Sequence, residues 1–153
     1  MLFTRAGLEQ AASELTARHA AGRFAGSRVV ADLCCGIGGN LIALAAPGRR
    51  VIGVDADQLS LEFARQNAAV CAPGASAGFV LAAVIRRPLR GVDAVFIDPA
   101  RRDGQRRLRA GQSRPPLDWC LRLAGAVPHV GVKAAPGLPR GLVPADGRPS
   151  SAW

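Results

Sequence analysis

A glycine-rich turn between acidic residues is the part of this sequence best suited to chemistry. Residues 29–40 read VVADLCCGIGGN, so an apolar run leads straight into three closely spaced glycines. Glycines in such a turn let a ligand approach the backbone closely, and the helix that follows directs its N–H groups at the ligand. The turn therefore predicts a ligand-binding loop, with candidate contacts at Cys34, Gly36, Gly38, Gly39 and Asn40.

Two carboxylates flank this turn and narrow the choice of ligand. Asp55 ends the next apolar run and lies 19 positions after Gly36. At about that distance, an acidic residue in a nucleotide-binding sheet accepts hydrogen bonds from a ribose. Asp32 lies just before the turn, where its charge would repel a pyrophosphate and attract an ammonium group. Together with GxGG in place of GxGxxG, these acids favour S-adenosylmethionine over NAD as the cofactor.

A second candidate site follows another very apolar run. Residues 98–102 read DPARR, directly after VDAVFI. Ligands of open parallel sheets bind beyond the carboxyl ends of the strands, which predicts that Asp98 and Pro99 lie near the reacting group. Arg101 and Arg102, with Lys133 at the end of a later apolar run, are candidates for contacting the substrate or a phosphate. The alternatives are an Asp98 carboxylate paired with arginines, a solvated arginine loop and a surface lysine.

The elements that must position these residues alternate between apolar runs and helical stretches. Strands are predicted at 28–33, 50–55, 78–84, 92–97 and 127–132, and helices at 3–19, 38–46, 58–70 and 117–124. Such alternation is typical of a parallel sheet with helices on its faces, whose buried strands are nearly continuous in Val and Ile. We therefore predict a Rossmann-like, doubly wound α/β fold with five strands.

Three segments follow from this pattern. Residues 1–26 form an N-terminal helix, 27–135 form the cofactor-binding core, and 136–153 form a Pro/Gly-rich tail or a truncated stub. Closely spaced prolines prevent both a helix and a central strand in the last segment.

The motifs resemble those of class I S-adenosylmethionine-dependent methyltransferases. Within that superfamily they resemble bacterial RNA-methylase-like proteins, related to trimethylguanosine synthase, that usually carry a C-terminal THUMP-like domain. The matching segments are 3–4 (FT), 8–11 (LEQA), 32–39 (DLCCGIGG), 54–55 (VD), 67–68 (NA), 92–102 (VDAVFIDPARR) and 132–137 (VKAAPG). The resemblance implies methyl transfer to RNA. It also implies that Asp98 and Pro99 hold the target amine while Arg101 and Arg102 contact substrate.

Several positions depart from the family pattern. Ala100 and Arg101 stand where amino-methyltransferases have a second proline and an aromatic residue that stacks on the base, so stacking would fall to an arginine or Trp119. Ala83 stands at the position of an acid that contacts adenine, and Asn40 where relatives often have Asp. The family fold has two further strands after the fifth, so we expect a C-terminal domain or a second chain to cover the fifth strand.

Composition bounds the class of protein. The net charge is +9 and Lys133 is the sole lysine, so arginine supplies almost all of the positive charge. Such a surplus favours RNA as a partner, although GC-rich coding also produces it.

The four cysteines form no CxxC pair, so we expect neither a zinc site nor disulfides, and a reducing cytoplasm is favoured. We expect no membrane association. The competing hypotheses are an inactive cofactor-binding remnant and a basic RNA-binding module without cofactor.

Overall fold

The computed structural model describes residues 2, 14–86, 89–99, 102–103, 106–107, 113–134 and 141. The α-helices are α1 (Glu14–Gly22), α2 (Gly39–Leu44), α3 (Gln58–Cys71) and α4 (Leu117–Arg122), with short 3-10 turns at Val84–Arg86 and Leu123–Gly125. The strands are β1 (Val29–Leu33), β2 (Arg50–Asp55), β3 (Ser76–Leu81), β4 (Ala94–Ile97), β5 (Arg102–Asp103), β6 (Arg106–Arg107) and β7 (His129–Val132).

Five of these strands form one parallel sheet in the order β3-β2-β1-β4-β7. This confirms the predicted Rossmann-like fold. The strand order reverses direction beside β1, because β2 lies on one side of it and β4 on the other. In open α/β sheets a ligand binds in the crevice at such a switch point, outside the carboxyl ends of the strands. The glycine turn follows β1 and the DPARR segment follows β4, so both flank this crevice.

Burial explains which strand boundaries the sequence predicted well. The residues of β4 are all buried, and β1 is buried from Val30 to Leu33, so their apolar runs mark these two strands clearly. In contrast, β3 is an edge strand with half-buried or exposed residues. It begins at Ser76 and ends at Leu81, whereas we predicted 78–84, because an exposed edge does not require a continuous apolar run.

The remaining boundaries shift by a few residues. The predicted helix at 3–19 is described from Glu14, continues to Gly22, and has its first half outside the described residues. The predicted tail at 136–153 also lies outside them, apart from residue 141. A short antiparallel hairpin, β5–β6, follows the DPARR segment. Within the described part of the chain, no helix combines the length and apolar character needed to cross a membrane.

The loops at the amino end of the sheet are held by charged side chains. The buried guanidinium of Arg49 donates to the carbonyls of Phe24, Ser27 and Leu44, at 2.6, 3.1 and 2.8 Å. Asp93 accepts from the backbone N–H groups of Arg28 and Val29, both at 2.9 Å. These hydrogen bonds hold the start of β1 in place.

Close packing of α2 on the sheet brings the glycine turn into position. Gly53 in β2 faces α2, and a Cβ atom there would lie 2.6 Å from Cδ1 of Leu41 and 3.1 Å from Sγ of Cys35. A side chain at this position would push the helix away from β2. Gly53 therefore sets the height of the turn above the sheet.

Candidate functional site

The turn between β1 and α2 has a left-handed backbone at three positions. Cys34, Gly36 and Gly38 have φ values of 60°, 52° and 90°. Glycine adopts such angles freely, whereas a cysteine does so at a cost of about 1 kcal/mol or more, a kind of strain that clusters at functional sites. The N–H of Cys35 donates to the Val54 carbonyl at 3.2 Å, which ties the turn to the end of β2.

The turn has a packed side and an open side. At Gly38 a Cβ atom would lie 3.1 Å from both Cα and Cβ of Ala64 in α3, so this glycine is needed for contact as well as for its φ. At Gly36 and Gly39 a Cβ atom would meet no described atom within 4 Å. The open side is the one that a ligand can approach.

Asp55 holds the turn directly. One carboxylate oxygen accepts from the Gly36 N–H at 2.8 Å, and the other accepts from the Asp57 N–H at 2.9 Å. Asp57 in turn caps α3 by accepting from the Ser60 N–H at 2.9 Å. Because an ionised carboxylate has about four acceptor positions, Asp55 keeps capacity for a ribose while it shapes the loop.

Asn67 belongs to a segment that matched the family pattern, and the structure gives it a positioning role that the sequence did not predict. Its side-chain amide is buried and donates to the carbonyls of Ile37 at 2.9 Å and Leu2 at 2.8 Å. Its oxygen accepts from the Leu2 N–H. The signal in the sequence was a polar residue on the otherwise apolar face of the helix at 58–70, which is typical of a side chain that satisfies a nearby backbone.

Asp32 lies beneath the turn and is fully buried. Neither of its carboxylate oxygens makes a hydrogen bond of normal geometry with a described atom, although the Leu41 N–H lies near enough to favour the charged form. Burial raises its pKa well above the usual range, the charges of Asp98 and Asp55 raise it further, and Lys133 opposes the shift more weakly. A buried acid without a partner is costly, which points to a cation that belongs nearby.

Asp98 follows β4 and joins the neighbouring elements. Its carboxylate accepts from the Asn40 side chain in α2 at 3.4 Å and from Nζ of Lys133, after β7, at 2.5 Å. Only 18% of the Asp98 side chain and 15% of the Lys133 side chain are exposed. Two backbone hydrogen bonds fix the strand ends, since Asp98 N–H donates to Leu33 and Lys133 N–H to Ile97.

The structure brings together most of the predicted site residues. The predicted cofactor contacts from Asp32 to Asn40, together with Asp55, Asp98 and Lys133, surround the carboxyl ends of β1, β2 and β4. Pro99 is buried next to Asp98. Arg101 lies outside the described residues, and Arg102 opens the β5–β6 hairpin. Among the described residues Asp98 pairs with Lys133. The alternative, a carboxylate paired with nearby arginines, concerns side chains that lie largely outside the described residues.

The cysteines of the turn are not nucleophiles. Burial raises the pKa of the Cys34 thiol to about 12, and the charges of Asp55 and Asp32 add to the shift. Burial and the same two carboxylates raise the pKa of Cys35 as well. Since the thiolate is the reactive form, both side chains act as small buried groups at neutral pH.

Comparisons with known proteins agree with this geometry. A methyltransferase domain family matches residues 30–102, which span β1 to the start of the hairpin. An S-adenosylmethionine-dependent methyltransferase of Mycobacterium tuberculosis, described as uncharacterised in the two strains CDC 1551 and H37Rv, is 42% identical over 139 residues. The chain has the Rossmann-like fold of class I S-adenosylmethionine-dependent methyltransferases. The alignment with the mycobacterial protein covers 90% of this chain and 37% of the length of that protein.

Solved structures of methyltransferases share the fold of this chain. A tRNA (uracil-54, C5)-methyltransferase of Pyrococcus abyssi in complex with S-adenosylhomocysteine is 29% identical, with a TM-score of 0.50 over 57% of this chain and 21% of that chain. A putative O-methyltransferase of Nostoc punctiforme is 21% identical, with a TM-score of 0.51 over 59% of this chain and 29% of that chain. The second similarity concerns the fold alone.

The residues present fit the cofactor of a methyltransferase domain. S-adenosylmethionine combines an adenosine with a sulfonium and an ammonium, and it supplies an activated methyl group. The turn is open at Gly36 and Gly39, as close approach of a ligand requires. Asp55 retains acceptor capacity for the ribose hydroxyls. The unpartnered carboxylate of Asp32 matches a cation, although its complete burial means that it would act through its field and not by contact.

Proposed function

We propose that this chain belongs to a class I S-adenosylmethionine-dependent methyltransferase that transfers a methyl group to RNA, with a base nitrogen as the favoured acceptor. The observation that carries the proposal is the position of Asp98. Its carboxylate ends β4 at the switch point of the sheet and contacts Asn40 in the helix that the glycine turn opens. A group held by Asp98 is therefore adjacent to a ligand held by the turn.

In this proposal the turn and its acids hold the cofactor. The backbone at Cys34, Gly36, Gly38 and Gly39 and the side chain of Asn40 contact its methionine part. Asp55 accepts from the ribose, and the charge of Asp32 favours the ammonium. Ala83 is exposed just after β3, where an acidic residue would contact adenine. Its lack of a side-chain acceptor lowers affinity by about 1 kcal/mol, or about fivefold.

Asp98 and Pro99 position the acceptor. The Asp98 carboxylate and the Pro99 carbonyl accept hydrogen bonds from the target amine and direct its lone pair at the methyl carbon. Bound S-adenosylmethionine would supply the methyl group to this nitrogen and leave as the neutral thioether S-adenosylhomocysteine, and the amine would release its proton to solvent. Because such an in-line displacement depends on alignment, fixed acceptors on the nitrogen supply much of the rate.

Charge and similarity support RNA as the substrate. The sequence places arginines at 101, 102, 106, 107, 109 and 114, shortly after Asp98, and the net charge is +9. Guanidinium groups pair with phosphates and stack on bases. The Pyrococcus enzyme with 29% identity is named as a tRNA methyltransferase. Arg101, Arg102 and Lys133 are the proposed contacts to RNA, and the free state of all four cysteines supports a cytoplasmic reaction.

Calorimetric titration with S-adenosylhomocysteine tests the cofactor part of this proposal. We expect wild type to bind and Asp55→Asn to bind at least about tenfold more weakly, because the substitution removes charge and one acceptor. Glu62→Gln makes the same chemical change on the exposed face of α3 and should bind like wild type. Absence of binding by folded wild type would leave a basic RNA-binding module without cofactor.

Transfer of a radiolabelled methyl group to RNA tests the chemistry. We expect label in the RNA with wild type, none with Asp98→Ala, and wild-type label with Asp118→Asn, an exposed acid on α4. Digestion to nucleosides then identifies the methylated atom. Cofactor binding without label in any RNA fraction would support the inactive remnant instead.

A further inference from the structure

Lys133 is the positive group among the described residues that pairs with a carboxylate near the glycine turn, that of Asp98. Burial raises the pKa of Asp32, the charges of Asp98 and Asp55 raise it further, and the charge of Lys133 opposes them. Its Nζ lies 2.5 Å from Asp98, and both side chains are largely shielded from water. A shielded pair of this kind is screened little by salt, so each charge acts strongly on its surroundings.

We propose that Lys133 is a positioning residue that holds Asp98 and, by balancing its charge, sets how strongly the site prefers the sulfonium of S-adenosylmethionine to the neutral thioether of S-adenosylhomocysteine. The inference rests on the proposed place of the cofactor beside Asp98 and adds to it a role for Lys133 in product release. With Lys133 paired, the three carboxylates attract a cation less strongly than their number implies.

The physical argument is one of charge balance. The two ligands differ in one methyl group and one positive charge, so a change in the net charge of the site alters their affinities unequally. Removal of the lysine charge favours the sulfonium. Neutralisation of Asp98 leaves the lysine charge without its partner and disfavours the sulfonium. A residue that merely stabilised the fold would change both affinities in parallel.

The experiment measures Kd for both ligands by calorimetry at about pH 8 for every variant. The readout is the ratio of the Kd of S-adenosylhomocysteine to that of S-adenosylmethionine. We expect Lys133→Met to raise this ratio about fivefold and Asp98→Asn to lower it about fivefold, as one charge several ångströms away from a cation implies. Lys133→Arg keeps the charge and should keep the ratio within about twofold of the wild-type value.

Arg50→Met serves as the matched control, because it removes a positive charge from the opposite end of β2. Its ratio should equal that of wild type. Thermal unfolding monitored by circular dichroism establishes that each variant is folded, and Asp98→Asn alone decides the matter if Lys133→Met does not fold.

Opposite changes in the ratio support the proposal, even if no RNA is methylated. Unchanged ratios, or changes in the same direction for Lys133→Met and Asp98→Asn, would overturn it while leaving the proposed methyl transfer intact. Failure of wild type to bind either ligand would overturn it together with the cofactor part of the proposed function.

Discussion

The two ends of the parallel sheet use charged side chains in opposite ways. At the amino end, the buried Arg49 donates to three carbonyls, and the half-buried Asp93 accepts from two backbone N–H groups. At the carboxyl end, both oxygens of the fully buried Asp32 have no partner among the described atoms. The charged groups at the amino end are bonded to the backbone, whereas Asp32 at the carboxyl end is left available to act on a ligand.

The difference shows how a single sheet separates stability from function. Buried polar groups in proteins are almost always satisfied, so an unsatisfied one requires an explanation. Arg49 follows that rule, and together with the half-buried Asp93 it holds loops to strands. Asp32 is an exception to that rule and lies at the crevice where open sheets bind ligands. Functional sites often lower the stability of the fold in this way. The following substitutions test this contrast, from the largest expected effect to the smallest.

The largest loss of stability should come from Arg49→Met. Three buried carbonyls lose their donor, so the free energy of unfolding should fall by about 3–5 kcal/mol, as measured by urea denaturation. The neighbouring exposed Arg50→Met should change it by less than about 0.5 kcal/mol. If the comparison holds, Arg49→Met binds S-adenosylhomocysteine like wild type under conditions where it is folded. A change in the affinity for S-adenosylhomocysteine would mean that the two ends of the sheet are coupled.

Asp32→Asn should stabilise the domain and weaken the binding of S-adenosylmethionine. The pKa of Asp32 is raised in the folded state, chiefly by burial, so its contribution to stability is fully present below about pH 4 and is lost as pH rises through the folded pKa. The amide side chain that replaces Asp32 in the variant does not ionise, so the variant does not lose stability as pH rises. Its free energy of unfolding should therefore exceed that of wild type by about 2 kcal/mol at neutral pH, and the gain should vanish in acid.

Urea denaturation across this pH range measures the gain, with Asp118→Asn as the control. Asp118 is exposed, and its hydrogen bond with Arg122 lowers its pKa, so its replacement should bring no gain at neutral pH. A loss of stability in Asp32→Asn at neutral pH would show that the carboxylate has a structural role after all.

Gly38→Ala should have the smallest of the three effects on stability. The new Cβ strains a backbone with φ of 90° and meets Ala64 of α3 at 3.1 Å, so the expected cost is about 1 kcal/mol. Gly39→Ala, where a Cβ meets no described atom, should leave the free energy of unfolding unchanged. Affinity for S-adenosylhomocysteine should fall in both, since Gly38 shapes the turn and Gly39 lies on its open side. Equal stability of the two variants would contradict the packing at Gly38.

The sequence was sufficient for the fold. Continuous apolar runs marked β1, β2 and β4, and the spacing from Gly36 to Asp55 directed attention to two residues that are joined by a hydrogen bond. Local chemistry determines these features, since a tight turn requires glycine whatever the rest of the fold does. The predicted contact between Asp55 and a ribose stays a prediction. The five-stranded parallel sheet is confirmed, whereas RNA as the substrate stays a proposal.

Contacts across the sheet could not be predicted in the same way. Asp98 is 58 positions from Asn40 and 35 from Lys133, so their contacts depend on β4 lying between β1 and β7. No spacing rule along the chain encodes that adjacency, and an arginine of the following segment was an equally reasonable partner for Asp98. The predicted bounds of the edge strand β3 were wrong for a related reason, because the burial of an edge strand depends on what covers it.

Asn67 has a practical consequence for work with this protein. One amide side chain contacts both Leu2 and the carbonyl of Ile37 in the glycine turn. Affinity tags, fusion partners or cleavage remnants joined near Leu2 can therefore change the ligand affinity without touching the ligand. Binding assays and screens for inhibitors should compare versions that are tagged at opposite ends before an affinity is assigned to the domain itself.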